Sequence, residues 1–292
     1  QNRLTYITLD PSPRLLRVQT INDLYPTSAG AELPAFQAGF LRGVFSDGSV
    51  LAQLRRPDST RAAEFDGKTF FGRVTVDGTL VSEISRIDED DPGIRMELST
   101  PGAGVGTFST TIMQMAAPWT LRHLVVSGPN ADRTSEVVSV LNPDATVRIR
   151  VVRRAESDTL WVREIDLQGI PITRQRADSA VDATVNAFSG PALERFPDVP
   201  ERYRSEVQMP DVIPPVLNAL MGPDGSLWLE MDAVADLPPD THMILDVQGE
   251  LIGHVQVPDG DVVEVGRDFA WLSVTDSLGV TSLVRNRLIP GG

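Results

Sequence analysis

Short β-rich runs separated by glycine-bearing turns recur from one end of this chain to the other, and they leave few folds open. The runs start at Leu4–Leu9 and Leu15–Ile21. They continue through Ser49–Arg55, Thr146–Val152 and Ser226–Met231 to Phe269–Thr275 and Thr281–Leu288. Each is roughly 5–9 residues long, the length of a strand rather than of a helix. Between them stand Asp47-Gly48, Asp66-Gly67, Asp77-Gly78, Asn142-Pro143-Asp144, Pro223-Asp224-Gly225, Gln248-Gly249 and Leu278-Gly279. Glycine reaches positive φ without a Cβ clash, so these dipeptides predict tight turns between antiparallel strands. Residues 173–210 break the pattern. Asp178–Phe188 spaces Val181, Val185 and Phe188 along one helical face. Asp178 or Ser179 is its expected cap, and Gly190-Pro191 its stop. The whole segment reads as a helical, proline-rich insertion between β units.

The strand runs are also repetitive. Gly222-Pro-Asp-Gly-Ser-Leu-Trp-Leu-Glu230 matches Phe45-Ser-Asp-Gly-Ser-Val-Leu-Ala-Gln53 in layout, and Ser157-Asp-Thr-Leu-Trp-Val162 matches Arg267-Asp-Phe-Ala-Trp-Leu272. A second hairpin type, Ile244-Leu-Asp-Val-Gln-Gly-Glu-Leu-Ile-Gly253, is echoed at 72–81, 138–147 and 6–15. Trp228 and Trp271 stand 43 residues apart, within the ~40–45 residues of one four-stranded propeller blade. Trp161, Trp228 and Trp271 read as packing residues at equivalent strand positions rather than as a stacking wall for a ligand.

On these residues, above all 214–230, 244–258, 262–272 and 279–288, the C-terminal third resembles the end of a six-bladed β-propeller of the NHL/TolB-like kind found in secreted bacterial proteins. The hairpin layout extends the likeness loosely over 4–165. The expectation is an all-β propeller of four-stranded antiparallel blades, a single domain over 1–292 with 173–210 inserted. Its parts would be the last hairpin of one blade (4–21), blades at 36–87, 111–165 and 214–257, and a three-stranded blade at 261–288. That makes four to five blades. Six-bladed relatives would have more chain ahead of Gln1, unless the ring closes differently. The resemblance also implies that an N-terminal strand joins 281–288. A sandwich or another β-rich assembly is the alternative.

Composition excludes more functions than it suggests. Hydrophobic residues make up 41% of the 292, enough for a core. The net charge is -14 and the pI about 4.6, so the chain repels phosphate backbones and nucleic acid is not an expected partner. Lys68 is the only lysine; the remaining basic residues are arginine. With no cysteine, thiolate catalysis, disulfides and zinc–thiolate sites are impossible. No apolar run is long enough to span a membrane. Because the chain opens on Gln1, it reads as processed or partial.

No residues are assigned to catalysis, a cofactor or a metal. His123, His242 and His254 lie on strands without a recognisable Ser or Asp partner and read as structural. The run Asp88–Asp91 lacks the alternating spacing that converges carboxylates on Ca²⁺ and reads as a solvated loop. Gly102–Thr107 only superficially resembles a phosphate loop: no lysine follows and no βαβ unit surrounds it. Arg148, Arg150, Arg153 and Arg154 form a basic stripe, expected to pair with neighbouring carboxylates. The leading functional expectation is a non-catalytic binding or scaffold propeller, exported to the periplasm or cell surface. It would be an accessory subunit of a larger, membrane-attached complex, with a protein partner meeting the 173–210 insertion. The alternative is a Ca²⁺-dependent lactonase or related hydrolase of the six-bladed class, with Asn142, Asn218 and Asp224 as contributors to a central site.

Overall fold

The computed structural model describes residues 3–8, 14–20, 37–45, 47–57, 65–75, 79–87, 94–101, 108–115, 117–119, 123–128, 133–144, 146–155, 158–187, 196–232, 237–238, 240–257, 260–266 and 268–289. Strands dominate it. A hairpin of β1 (Arg3–Thr8) and β2 (Arg14–Thr20) comes first. Blade 1 follows, from β3 (Gln37–Val44), β4 (Val50–Pro57), β5 (Phe65–Val74) and β6 (Leu80–Ile87). A second hairpin joins β7 (Ile94–Pro101) to β8 (Phe108–Met115). Blade 2 contains β9 (His123–Ser127), β10 (Arg133–Leu141), β11 (Thr146–Ala155) and β12 (Asp158–Gln168). Two helices, α1 (Arg174–Ala187) and α2 (Val199–Glu206), come next. Blade 3 is β13 (Val216–Met221), β14 (Leu227–Met231), β15 (Thr241–Leu245) and β16 (Leu251–Gln256). Blade 4 is β17 (Asp261–Val265), β18 (Phe269–Thr275) and β19 (Thr281–Arg287).

Within each blade the strands pair antiparallel in chain order, three blades having four strands and the fourth having three. The first strands lie side by side: β9 is against β3 and β13, and β13 against β17. The C-terminal ends of all four first strands, marked by Val44, Ser127, Met221 and Val265, line one cleft. They therefore run in the same direction around a common axis, which is the arrangement of a β-propeller.

The repeated turns have a common cause. At 45–49, 222–226, 246–250 and 276–280 the first residue's N–H donates to the fifth residue's carbonyl, and a glycine N–H donates back to the first. Gly48, Gly225, Gly249 and Gly279 sit at φ 83°, 83°, 81° and 78°, where an L side chain is strained. Aspartate locks the frame in two ways. Asp47 and Asp224 accept from the backbone and hydroxyl of Ser49 and Ser226. Asp246 and Asp276 accept two backbone N–H groups each.

Alternation along the strands buries both faces of the middle blades. Val137, Ile149 and Val151 of blade 2 pack with Val216, Ala219, Leu227 and Leu229 of blade 3. Trp228 and Ile244 of blade 3 pack with Val265, Ala270 and Leu272 of blade 4. Phe45, Leu51, Phe71 and Ile84 of blade 1 pack with Val125 of blade 2.

The sequence expectations need four corrections. Blade 2 begins at His123, because Thr111–Met115 belongs to β8 and pairs with β7, a strand the sequence reading missed. Asp66-Gly67 lies inside β5, with Phe65 paired to Pro57. The expected turn is absent because ladder pairing outweighs a dipeptide preference. α1 begins at Arg174, four residues before its expected cap. Thr173 Oγ1 accepts from Arg176 N at 3.3 Å, and Asp178 faces Arg174 one turn away. Trp161 lies on the fourth strand of its blade, whereas Trp228 and Trp271 lie on second strands, so the three are not equivalent. Both helices fall within 173–210, and the bridge between Pro171 and Val212 brings the ends of that excursion together. Asp77-Gly78, Asp88–Asp91 and Gly102–Thr107 lie outside the described residues.

Candidate functional site

Charged groups gather between blades 1 and 2. On β10, alternation turns Glu136 toward blade 1 while Ser135 and Val137 turn toward blade 3. The pairing of Val138 with His123 and of Thr134 with Arg154 brings His123 and Arg154 onto Glu136's face. Ser85 arrives from β6 across the blade boundary. Glu136 Oε1 accepts from the Ser85 hydroxyl at 2.5 Å and from His123 Nε2 at 2.8 Å. Its Oε2 accepts from Arg154 at 3.1 Å. Burial pushes the Glu136 carboxyl up, but the bonds from His123, Ser85 and Arg154 outweigh it and hold the pKa at about 2. Glu83, Ile84, Ser85, Arg86, Glu136 and Arg154 line an open cleft of about 500 Å³.

The residue types suggest a hydrolytic triad, but the geometry does not fit one. In a triad the imidazole stands between hydroxyl and carboxylate, using one nitrogen for each. Here Glu136 stands in the middle, and Ser85 and His123 both bond the same oxygen. The His123 nitrogen 3.2 Å from Ser85 is the one already bonded to Glu136. A carboxylate held at about pKa 2 is also a weak base toward a serine hydroxyl. The arrangement pins blade 1 to blade 2 through a fully ionised carboxylate.

A second cleft, of about 410 Å³, opens at the channel mouth. Val44, Val126, Leu220, Met221 and Val263 make it apolar; Arg42 and Glu264 are its charged residues. The hydrolase candidates do not meet there. Asn142 is committed to the β10–β11 turn, bonding Thr146. Asp224 is committed to the β13–β14 turn, which follows Met221 and so lies at the end of the blades opposite to the turn that holds Asn142. Asn218 is exposed on β13. Among the described residues, no group of three or more His, Asp or Glu is placed to hold a metal ion.

The other histidines fall in unlike surroundings. His242 is buried edge-on to Trp228 at 6.1 Å; burial, opposed by Asp240, holds it below the ordinary imidazole range. His254 is exposed on β16. The expected basic stripe divides. Arg148 pairs with Asp166 at 2.8 Å, Arg154 with Glu136, and Arg150 is exposed, while Arg153 turns to the opposite face and is fully buried. Sequence reading missed the Ser85–His123–Glu136–Arg154 cluster. Its other members stand 13 to 51 residues from Glu136 in the chain, and only the blade register brings them together.

No protein-family model matches the chain, and no curated protein matches it significantly. Among solved structures it is similar to the AfRom2 CNH domain at 10% identity, over 92% of this chain and 87% of that one, with a TM-score of 0.22. A superposition that loose carries no argument about function.

Proposed function

We propose that this propeller is a non-catalytic interaction module whose partner docks on the outer face of blade 4. The observation that carries this is a comparison of equivalent faces. Trp228, on the second strand of blade 3, is buried because blade 4 covers it. Trp271, on the second strand of blade 4, looks out the same way but is only half-buried. Beside it Arg285 lies 4.2 Å over the Phe269 ring, and Leu283 is 66% exposed. β19 is exposed along nearly its whole length, and, as the outer strand of its sheet among the described residues, it leaves one row of backbone groups free to pair. Exposed Leu278, Val280 and Ile289 extend the patch, and contiguous apolar surface of this kind marks interaction sites. Among the described residues of the insertion, the exposed ones of α1 are mainly polar and offer no comparable anchor. Export, a role as accessory subunit of a periplasmic or membrane-attached complex, and six blades rest on the NHL/TolB-like hairpin layout alone.

The test is comparative co-purification from the native cell envelope, using wild type, Leu283→Glu and Val81→Glu. Val81 is 55% exposed on blade 1 and serves as the control. Both changes are at exposed positions and should shift stability by no more than about 0.5 kcal/mol. The proposal expects one protein to be depleted with Leu283→Glu and retained with Val81→Glu. Identical recovery from all three overturns it.

A further inference from the structure

Arg153 has no exposed surface, yet its Nε and Nη2 have no hydrogen-bond partner among the described residues. Its Nη1 meets only the Met221 thioether, at 3.7 Å, and its guanidinium lies 5.3 Å from the Trp161 ring centre. Neither contact neutralises a charge. A buried cation without a counter-ion is among the costliest arrangements a fold can hold. Across the β10–β11 ladder its partner is Ser135, also fully buried, whose hydroxyl is likewise unpartnered. Two independent buried donors, one charged and one neutral, thus share one face between blades 2 and 3.

The surroundings add positive charge rather than remove it. Burial first and Arg133 second lower the Arg153 pKa to about 10, against the opposing pull of Asp246. Asp246 makes no ion pair with Arg153 among the described residues, and its Oδ1 already accepts the N–H groups of Gln248 and Glu250. Gly225 presents no side chain on this side; a β-carbon there would stand 3.8 Å from Nη1. Met221 also lines the channel-mouth cleft, so cleft and guanidinium share a wall.

We propose that Arg153 and Ser135 form an inter-blade site for a small inorganic anion of the chloride class, bound on Nε, Nη2 and the serine hydroxyl, with Arg133 supplying long-range attraction. The anion makes a structural joint between blades 2 and 3, in the role that Glu136 plays between blades 1 and 2.

The experiment is thermal denaturation of the intact protein at constant ionic strength, with sodium gluconate exchanged stepwise for sodium chloride. The wild-type Tm rises along a saturating curve, by about 5 °C at a hundredfold excess over Kd. Arg153→Met loses the saturating component. Arg133→Gln, on the surface, moves half-saturation to several-fold higher chloride, and it serves alone if the buried variant does not fold. Crystals grown with bromide show an anomalous peak within hydrogen-bonding distance of Nε and Nη2. A Tm indifferent to the exchange, a response unchanged in both variants, or a crystal structure placing a carboxylate of this chain on Arg153 overturns the proposal.

Discussion

Glu136 shows how one ionisation ties two blades together. Its folded-state pKa is depressed from 4.5 to about 2, so the stabilisation is present in full above pH 4.5 and drains away as pH falls toward 2. The unfolded chain binds that proton more readily, so stability rises with pH through this window. A shift of that size corresponds to roughly 3 kcal/mol. Glu136→Gln should lose up to about that much at pH 7 and flatten the acid limb of the stability profile. Urea melts of both proteins between pH 2.5 and 7 check this, and parallel profiles would remove Glu136 from the account. Little of the cluster was legible in sequence. His123 was visible as a strand histidine, but Ser85 approaches from another blade, and strand periodicity says nothing about which blade faces which. Arg153 and Arg154 looked like one basic stripe. Alternation sends them to opposite faces, one toward a carboxylate and the other into a buried apolar interface.

Element by element, turns and strands were the most readable. Asp47-Gly48-Ser49 and Asp224-Gly225-Ser226 form the same locked frame in different blades, so a local signal sufficed. Asp66-Gly67 failed because a dipeptide preference of about 1 kcal/mol yields to a strand ladder with several hydrogen bonds. The strand Ile94–Pro101 was missed because its alternation follows an acidic run and ends on proline, both loop signals. The tryptophans convert blade packing into a measurable difference. Trp228, 2% exposed, packs against Val265, Ala270 and Leu272 of the next blade, so Trp228→Ala should cost about 3–5 kcal/mol through lost burial and a cavity. Trp271 holds the corresponding place on a face that no further blade covers among the described residues, so Trp271→Ala should cost less than half as much. Denaturant midpoints of the two variants test this, and equal losses would mean that the outer face of blade 4 is packed in solution.

For the whole molecule, the fold class followed from turn density and the 43-residue spacing, since both are local properties repeated along the chain. The assignment of strands to blades was less legible, because a hairpin outside any blade has the same pattern as one inside it. Function was least legible, and the geometry at the channel mouth decides what the alternative hydrolase reading would need. A Ca²⁺ ion takes six to eight oxygen ligands, several from carboxylates. The mouth of the first-strand channel offers Glu264 as its carboxylate and sets Arg42 in the same cleft. One carboxylate beside a guanidinium is a poor cation site. Asn142 and Asp224, which that reading names as contributors, are held in turns at opposite ends of the blades. Excess chelator should therefore leave the Tm within about 1 °C of its untreated value. A ligand bound at a hundredfold over its Kd contributes about 2.7 kcal/mol, so removing a resident ion would lower the Tm by several degrees. Differential scanning calorimetry with EGTA, followed by excess CaCl₂, separates the cases. A drop of several degrees reversed by calcium would place a metal in this propeller, and the search for its ligands would begin at Glu264.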